Sequence, residues 1–132
     1  MRVEVPISIG ELFDKISILK IKQEKINDTK MLDHINLELS LLNKCLHLVI
    51  LENKKDDNEV ETMINQLKKI NAELWEIEDQ KRSCEEKKIF DQNFINLARS
   101  VYLKNDERAE LKKQINLKFN SKIVEVKNYK KY

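Results

Sequence analysis

Residues 32–49 read LDHINLELSLLNKCLHLV, and the spacing of their apolar side chains decides the fold. Leu32, Ile35, Leu39, Leu42, Leu46 and Val49 recur at steps of 3, 4, 3, 4 and 3. Only a helix keeps such a seam on one face. Leu37, Leu41 and Leu48 form a second stripe on the same helix, which is therefore expected to meet more than one partner. The seam returns downstream in Val60, Met63, Leu67, Ile70, Leu74 and Ile77. Between the two lies KKDDNE, Lys54 to Glu59, a polar turn in which Asp56 or Asp57 can cap the second helix.

The flanking segments extend the pattern. Ser8-Ile9-Gly10-Glu11 fits a capping box, and a helix to about Asn27 follows, with Leu12, Ile16 and Leu19 on one face and Phe13 beside them. Asn27-Asp28-Thr29 breaks it, with Thr29 as the next cap. Asp91 can cap a fourth helix carrying Phe94, Leu97, Ala98 and Val101. Asn105 or Asp106 can cap a fifth carrying Leu111 and Ile115. Asn120 tolerates left-handed geometry and can end it. The β-branched alternation of Arg2–Ser8, with Val3 and Val5, and of Lys122–Val126 predicts a short strand at each end. The expected fold is mainly α: one domain, an antiparallel bundle of about five helices, two of them long, with short terminal strands.

Composition narrows the function. The chain has one Gly, one Pro and a formal charge of +2. That excludes a Gly-rich phosphate loop and gives no strong pull toward nucleic acid. No apolar run reaches the roughly 18 residues of a membrane span. Cys45 and Cys84 match no metal spacing, so they are expected to be buried, reduced thiols of a cytoplasmic protein.

The polar residues are less ordinary. Of 25 Lys and Arg only four are Arg, and Arg82, Arg99 and Arg108 all fall in residues 71–116, among Glu76, Glu78, Asp79, Glu85 and Asp106. Arginine offers a planar bidentate fork that lysine cannot copy. If neighbouring helices are antiparallel, Glu76 and Asp79 come level with Arg99 and Tyr102, and Arg108 joins them. Glu76, Asp79, Arg82, Arg99, Tyr102, Asp106, Arg108 and Lys112 are the candidate site. It reads either as inter-helix pairing or as a place for a ligand or partner. Glu73, Glu76 and Asp79 also make an acidic series that could share Mg²⁺ as in all-helical pyrophosphohydrolases. No metal site or cofactor is otherwise expected. The tail Lys127–Tyr132 has three Lys, two Tyr and no acid; it is a solvated tail or a weak phosphate contact.

Several blocks together resemble a bacterial family of short helical proteins of unknown function. They are Gly10-Glu11-Leu12-Phe13-Asp14-Lys15, Ile18–Lys22, Leu74–Asp79 with Arg82, Phe90-Asp91, Phe94-Ile95, Leu97–Tyr102, Asn105-Asp106, Arg108-Ala109, Lys112, Ile115-Asn116, Ser121 and Glu125–Tyr129 with Tyr132. Asn120 stands where the family has Gly, and Val126 where it has Glu. The resemblance adds Glu11, Asp14 and Lys15 as secondary candidates. It implies an association with glycosyltransferase and cell-surface polysaccharide genes, which names no reaction. The sequence favours a non-enzymatic protein that binds itself or another protein. The alternative is a binder of, or enzyme on, an anionic metabolite such as a nucleotide sugar, held by the Arg/acid cluster.

Overall fold

The computed structural model describes residues 1–132. Four helices follow one another: α1 (Ile9–Lys25), α2 (Thr29–Asn53), α3 (Asp57–Lys87) and α4 (Gln92–Lys118). Their starts follow local side-chain chemistry. Ser8, Asp28, Asp56 and Asp91 each accept a hydrogen bond from a first-turn N–H of the helix that follows. Asp28 takes the role expected of Thr29. The ends of α2 and α3 are less usual. Lys54 and Lys88 adopt left-handed backbone, with φ of 50° and 55°. Lys55 N–H then reaches the Ile50 carbonyl at 3.2 Å, and Ile89 N–H the Cys84 carbonyl at 3.0 Å. These bonds satisfy carbonyls that the helix leaves open. Asn120 is left-handed as expected, with φ of 53°.

The helix expected to begin at Asn105 or Asp106 is the second half of α4, which runs unbroken through both residues. A polar residue costs only a few tenths of a kcal/mol inside a helix. Starting a new helix costs far more, and no Gly or Pro forces a stop there. The terminal strands are also absent: residues 1–8 and 121–132 carry no strand. Val3, Val5, Val124 and Val126 are exposed. The two ends do meet, but through side chains. Ser8 Oγ donates to Glu125 Oε1 at 2.5 Å, and Ile9 N–H donates to Ser121 Oγ at 3.1 Å. β-Branched alternation had no partner strand to pair with, and polar contacts hold the tail instead.

The core also differs from a pairing of the two long seams. The short helix α1 packs against α2, α3 and α4, and α3 packs against α4. Leu12, Phe13, Ile16 and Leu19 of α1 join Ile35 and Leu39, Val60, Ile64 and Leu67, and Ile115 and Phe119 in one cluster. Phe13 and Phe119 meet edge to face, with ring centroids 5.3 Å apart. Leu39, Leu67 and Ile70 are buried as their seams demand, whereas Leu42, Leu46 and Leu74 are only half-buried. Helices α3 and α4 are antiparallel: Glu59 pairs with Lys118, Asn71 with Arg108, and Glu73 with Lys104. Cys45 is exposed and Cys84 half-buried rather than both buried, and both thiols are free. No helix is long and apolar enough to cross a membrane.

Candidate functional site

The buried polar residues gather where α1 meets α3 and α4. Along α1, Gly10, Asp14, Ser17 and Ile21 are buried at steps of 4, 3 and 4, so one helical stripe faces inward. Gly10 sits at the closest approach to α4. A Cβ there would lie 2.7 Å from the backbone oxygen of Lys112 and 3.0 Å from Asn116 Oδ1. Only glycine lets the two backbones come this near. The closeness sets a hydrogen bond of 2.7 Å from Gly10 N–H to Asn116 Oδ1.

The first turn of α1 is thereby closed. Ile9 N–H is taken by Ser121, Gly10 N–H by Asn116, Glu11 N–H by Ser8 Oγ at 3.0 Å, and Leu12 N–H by the Ser8 carbonyl. A helix start normally leaves its first N–H groups free to hold an anion; here side chains take those of Ile9, Gly10 and Glu11, and Leu12 begins the ordinary helical ladder. Beside them Lys112 Nζ lies 2.5 Å from Glu11 Oε2 and 3.7 Å from Glu125 Oε1. Asn116 Nδ2 also reaches Glu125, at 3.4 Å. Burial pushes the Glu125 carboxyl up, but the Ser8 hydroxyl and the Lys112 charge outweigh it, leaving the group below its ordinary range.

One turn and more along α1 is a second knot. Asn71 of α3 donates through Nδ2 to Asp14 Oδ1 at 2.7 Å and to Ser17 Oγ at 2.8 Å. Its Oδ1 accepts from Arg108 of α4 at 3.0 Å. Ser17 Oγ in turn donates to the Asp14 carbonyl at 2.7 Å. The amide thus lies between a buried carboxylate and a guanidinium with its dipole aligned to both, and it ties three helices at one point.

These two knots divide the residues marked by the sequence. Glu11, Asp14, Arg108 and Lys112 belong to them, and Lys15 borders them, 4.0 Å from Glu11. Asp106 and Tyr102 lie nearer the start of α4, where Tyr132 donates its hydroxyl to Asp106 Oδ2 at 2.5 Å and its ring packs tilted against Tyr102, centroids 5.4 Å apart. The Asp106 hydrogen bond raises the Tyr132 hydroxyl above its ordinary pKa. Glu76 pairs with Lys25 at 2.7 Å. Arg82 pairs within its own helix with Glu78 at 3.0 Å, and Arg82 and Lys81 hold Glu78 below the usual carboxylate range. Asp79 and Arg99 are exposed and make no ion pair. The expected single network across Glu76, Asp79, Arg82, Arg99, Tyr102 and Arg108 is not assembled. With α4 continuous, Arg108 stands nine residues past Arg99, about 13 Å along the axis, and so comes level with Asn71. No group of three or more His, Cys, Asp or Glu side chains comes together as for a metal ion.

Asn71 and Ser17 were not singled out by sequence reading; Ser8 was read only as a helix cap, and Asn116, Ser121 and Glu125 only as part of the family resemblance. One signal was present. The only glycine of the chain falls in a helical segment, where it costs up to about 1 kcal/mol against Ala; its use there signals a close approach.

The chain belongs to DUF6165, a family of unknown function, whose pattern matches residues 1–132. No curated protein and no solved structure matches the chain.

Proposed function

We propose that this is a non-enzymatic, cytoplasmic helical protein that works by associating with a second copy of itself through the outer face of α2. The exposed second stripe of α2 carries the reading. Of its 25 residues only Ile35 and Leu39 are buried, while Leu37, Leu48 and Leu51 are 61%, 65% and 72% exposed. With half-buried Leu41 and with Lys44 they occupy positions 37, 41, 44, 48 and 51, a heptad seam of its own. Contiguous exposed leucines of this kind mark an interaction surface more often than a solvated face.

A seam of this spacing fits a helix with the same spacing, and α2 itself supplies one. Arranged antiparallel about the middle of the stripe, Leu37 faces Leu51 and Leu41 faces Leu48. Lys44 lies near the two-fold axis with its stem along the seam and its ammonium in solvent. The stripe is about 21 Å long, short of the roughly 800 Å² per partner of a standard interface, so the association is weak and reversible. The non-enzymatic part of the reading is supported by how Arg108 and Lys112, the inner cations of the candidate site, are spent on Asn71, Glu11 and Glu125. The cytoplasmic part rests on the two free thiols.

Sedimentation velocity over a series of protein concentrations tests this. The wild type is expected to shift toward dimer as concentration rises, and Leu48→Glu to stay monomeric with an unchanged helical spectrum. In a Cys84→Ser background, mild oxidation should link two chains through Cys45, which lies close to the two-fold axis. A wild type that is monomeric at every concentration and yields no Cys45 cross-link would overturn the proposal.

A further inference from the structure

We infer that the groove between α4 and the C-terminal tail binds a small molecule carrying a diphosphate or an equally charged polyanion. The tail is pinned at Ser121 and Glu125, and again at Tyr132 through Asp106 and Tyr102. The α4 anchors Asn116 and Asp106 are ten residues apart, about 15 Å of helix. The seven residues from Glu125 to Tyr132 can span about 23 Å when extended. The tail is longer than the gap it bridges, so it bows away from the helix. Beneath it lies a groove of about 720 Å³, within the usual range for small-molecule sites of about 300–1,000 Å³.

The charges around this groove are unbalanced. Lys113, Lys127, Lys130 and Lys131 line it, and none of the four is within ion-pairing distance of a carboxylate, unlike Lys112 on the floor. Three acids also line it: Glu125 is committed to Ser8, Asn116 and Lys112, and Asp106 to Tyr132, while Glu110 meets only the Gln114 amide, at 3.5 Å. Four free ammonium groups against the two carboxylates without a cation, Asp106 and Glu110, leave the cavity net positive in a chain whose formal charge is only +2. One phosphate is satisfied by fewer cations, so the site fits two linked phosphates better. Lysine suits this, because its ammonium meets phosphate as a mobile point charge. Tyr129 offers an exposed ring beside Lys127, whose Nζ is 5.9 Å from the ring centroid, as a face for a flat group attached to the diphosphate.

The test is a thermal-shift titration and calorimetry with inorganic pyrophosphate at low salt. The protein is the full chain in its wild-type and Lys127→Glu/Lys130→Glu forms. Both substitutions lie on exposed tail residues outside the core. Pyrophosphate is expected to raise the melting temperature saturably in the wild type, to bind about tenfold or more tighter than to the double variant, and to lose affinity as salt rises. It should also slow trypsin cleavage after the tail lysines. No saturable shift, or an equal shift in the double variant as expected of a general salt effect, would overturn the inference. The monomeric Leu48→Glu variant should bind pyrophosphate as the wild type does, so this result and that for self-association are read separately.

Discussion

Replacing Asn71 by Leu is expected to lower the stability of the fold by about 3 kcal/mol. The two side chains are similar in size, so the change opens no large cavity. What it removes is the group that satisfies Asp14, Ser17 and Arg108 at once. Asp14 is 4% exposed, and its carboxylate would lose the only side-chain donor within reach. A buried charged group left without a partner costs more than the roughly 1–3 kcal/mol of a neutral one. Half-buried Arg108 can turn to water and adds less. The extra apolar surface of Leu returns about 1 kcal/mol. Urea unfolding followed by helical circular dichroism measures the balance. A second substitution, Asp14→Leu, should recover part of the loss, because it removes the orphaned carboxylate. A loss below about 0.5 kcal/mol for Asn71→Leu would place the amide outside the fold's energetics.

Gly10→Ala sets two effects against each other. Alanine favours helix over glycine by up to about 1 kcal/mol, and less in a first turn. Against that, the new methyl would lie 2.7 Å from a backbone oxygen of α4, which no side-chain rotation can relieve. Helix α1 must lift off α4, at a cost of about 1–3 kcal/mol for overpacking. The buried bond from Gly10 N–H to Asn116 then lengthens or breaks, for about 1–3 kcal/mol more. The steric and hydrogen-bond terms win, and a net loss of about 3 kcal/mol is expected, seen as a fall of roughly 10 °C in the melting temperature. Gly10→Ala melting at or above the wild type would mean that α1 and α4 are not in close contact.

The helix starts were legible because a cap is decided within four residues: Ser8, Asp56 and Asp91 act as their local sequence says. The polar turn at Lys54–Glu59 and the left-handed Asn120 were legible for the same reason. Features set by distant partners were not. Whether Asn105 starts a helix or rides inside one depends on what α4 packs against. Whether Val3 and Val124 form strands depends on a neighbour that the chain does not provide. The Leu/Ile seams of α2 and α3 marked apolar faces correctly but could not show that α1 is the helix all the others share. The candidate site was legible in part. The primary candidate set held Arg108 and Lys112, and the family resemblance added Glu11, Asp14 and Lys15. Nothing local distinguishes Asn71 from any other polar residue until Asp14, Ser17 and Arg108 arrive from two other helices.

Arg99 and Arg108 carry the same side chain on the same helix, and the sequence gives no reason to treat them differently. In the fold Arg99 is exposed without an ion pair, while Arg108 bonds Asn71 at the three-helix knot. That Arg108 serves the fold is tested most directly by comparing Arg99→Lys and Arg108→Lys in urea. Arg108→Lys is expected to lose about 1–2 kcal/mol, since lysine cannot hold the same planar contact, and Arg99→Lys to stay within about 0.5 kcal/mol of wild type. Equal stability in the two variants would contradict the account and return Arg108 to the role of a free anion-binding group.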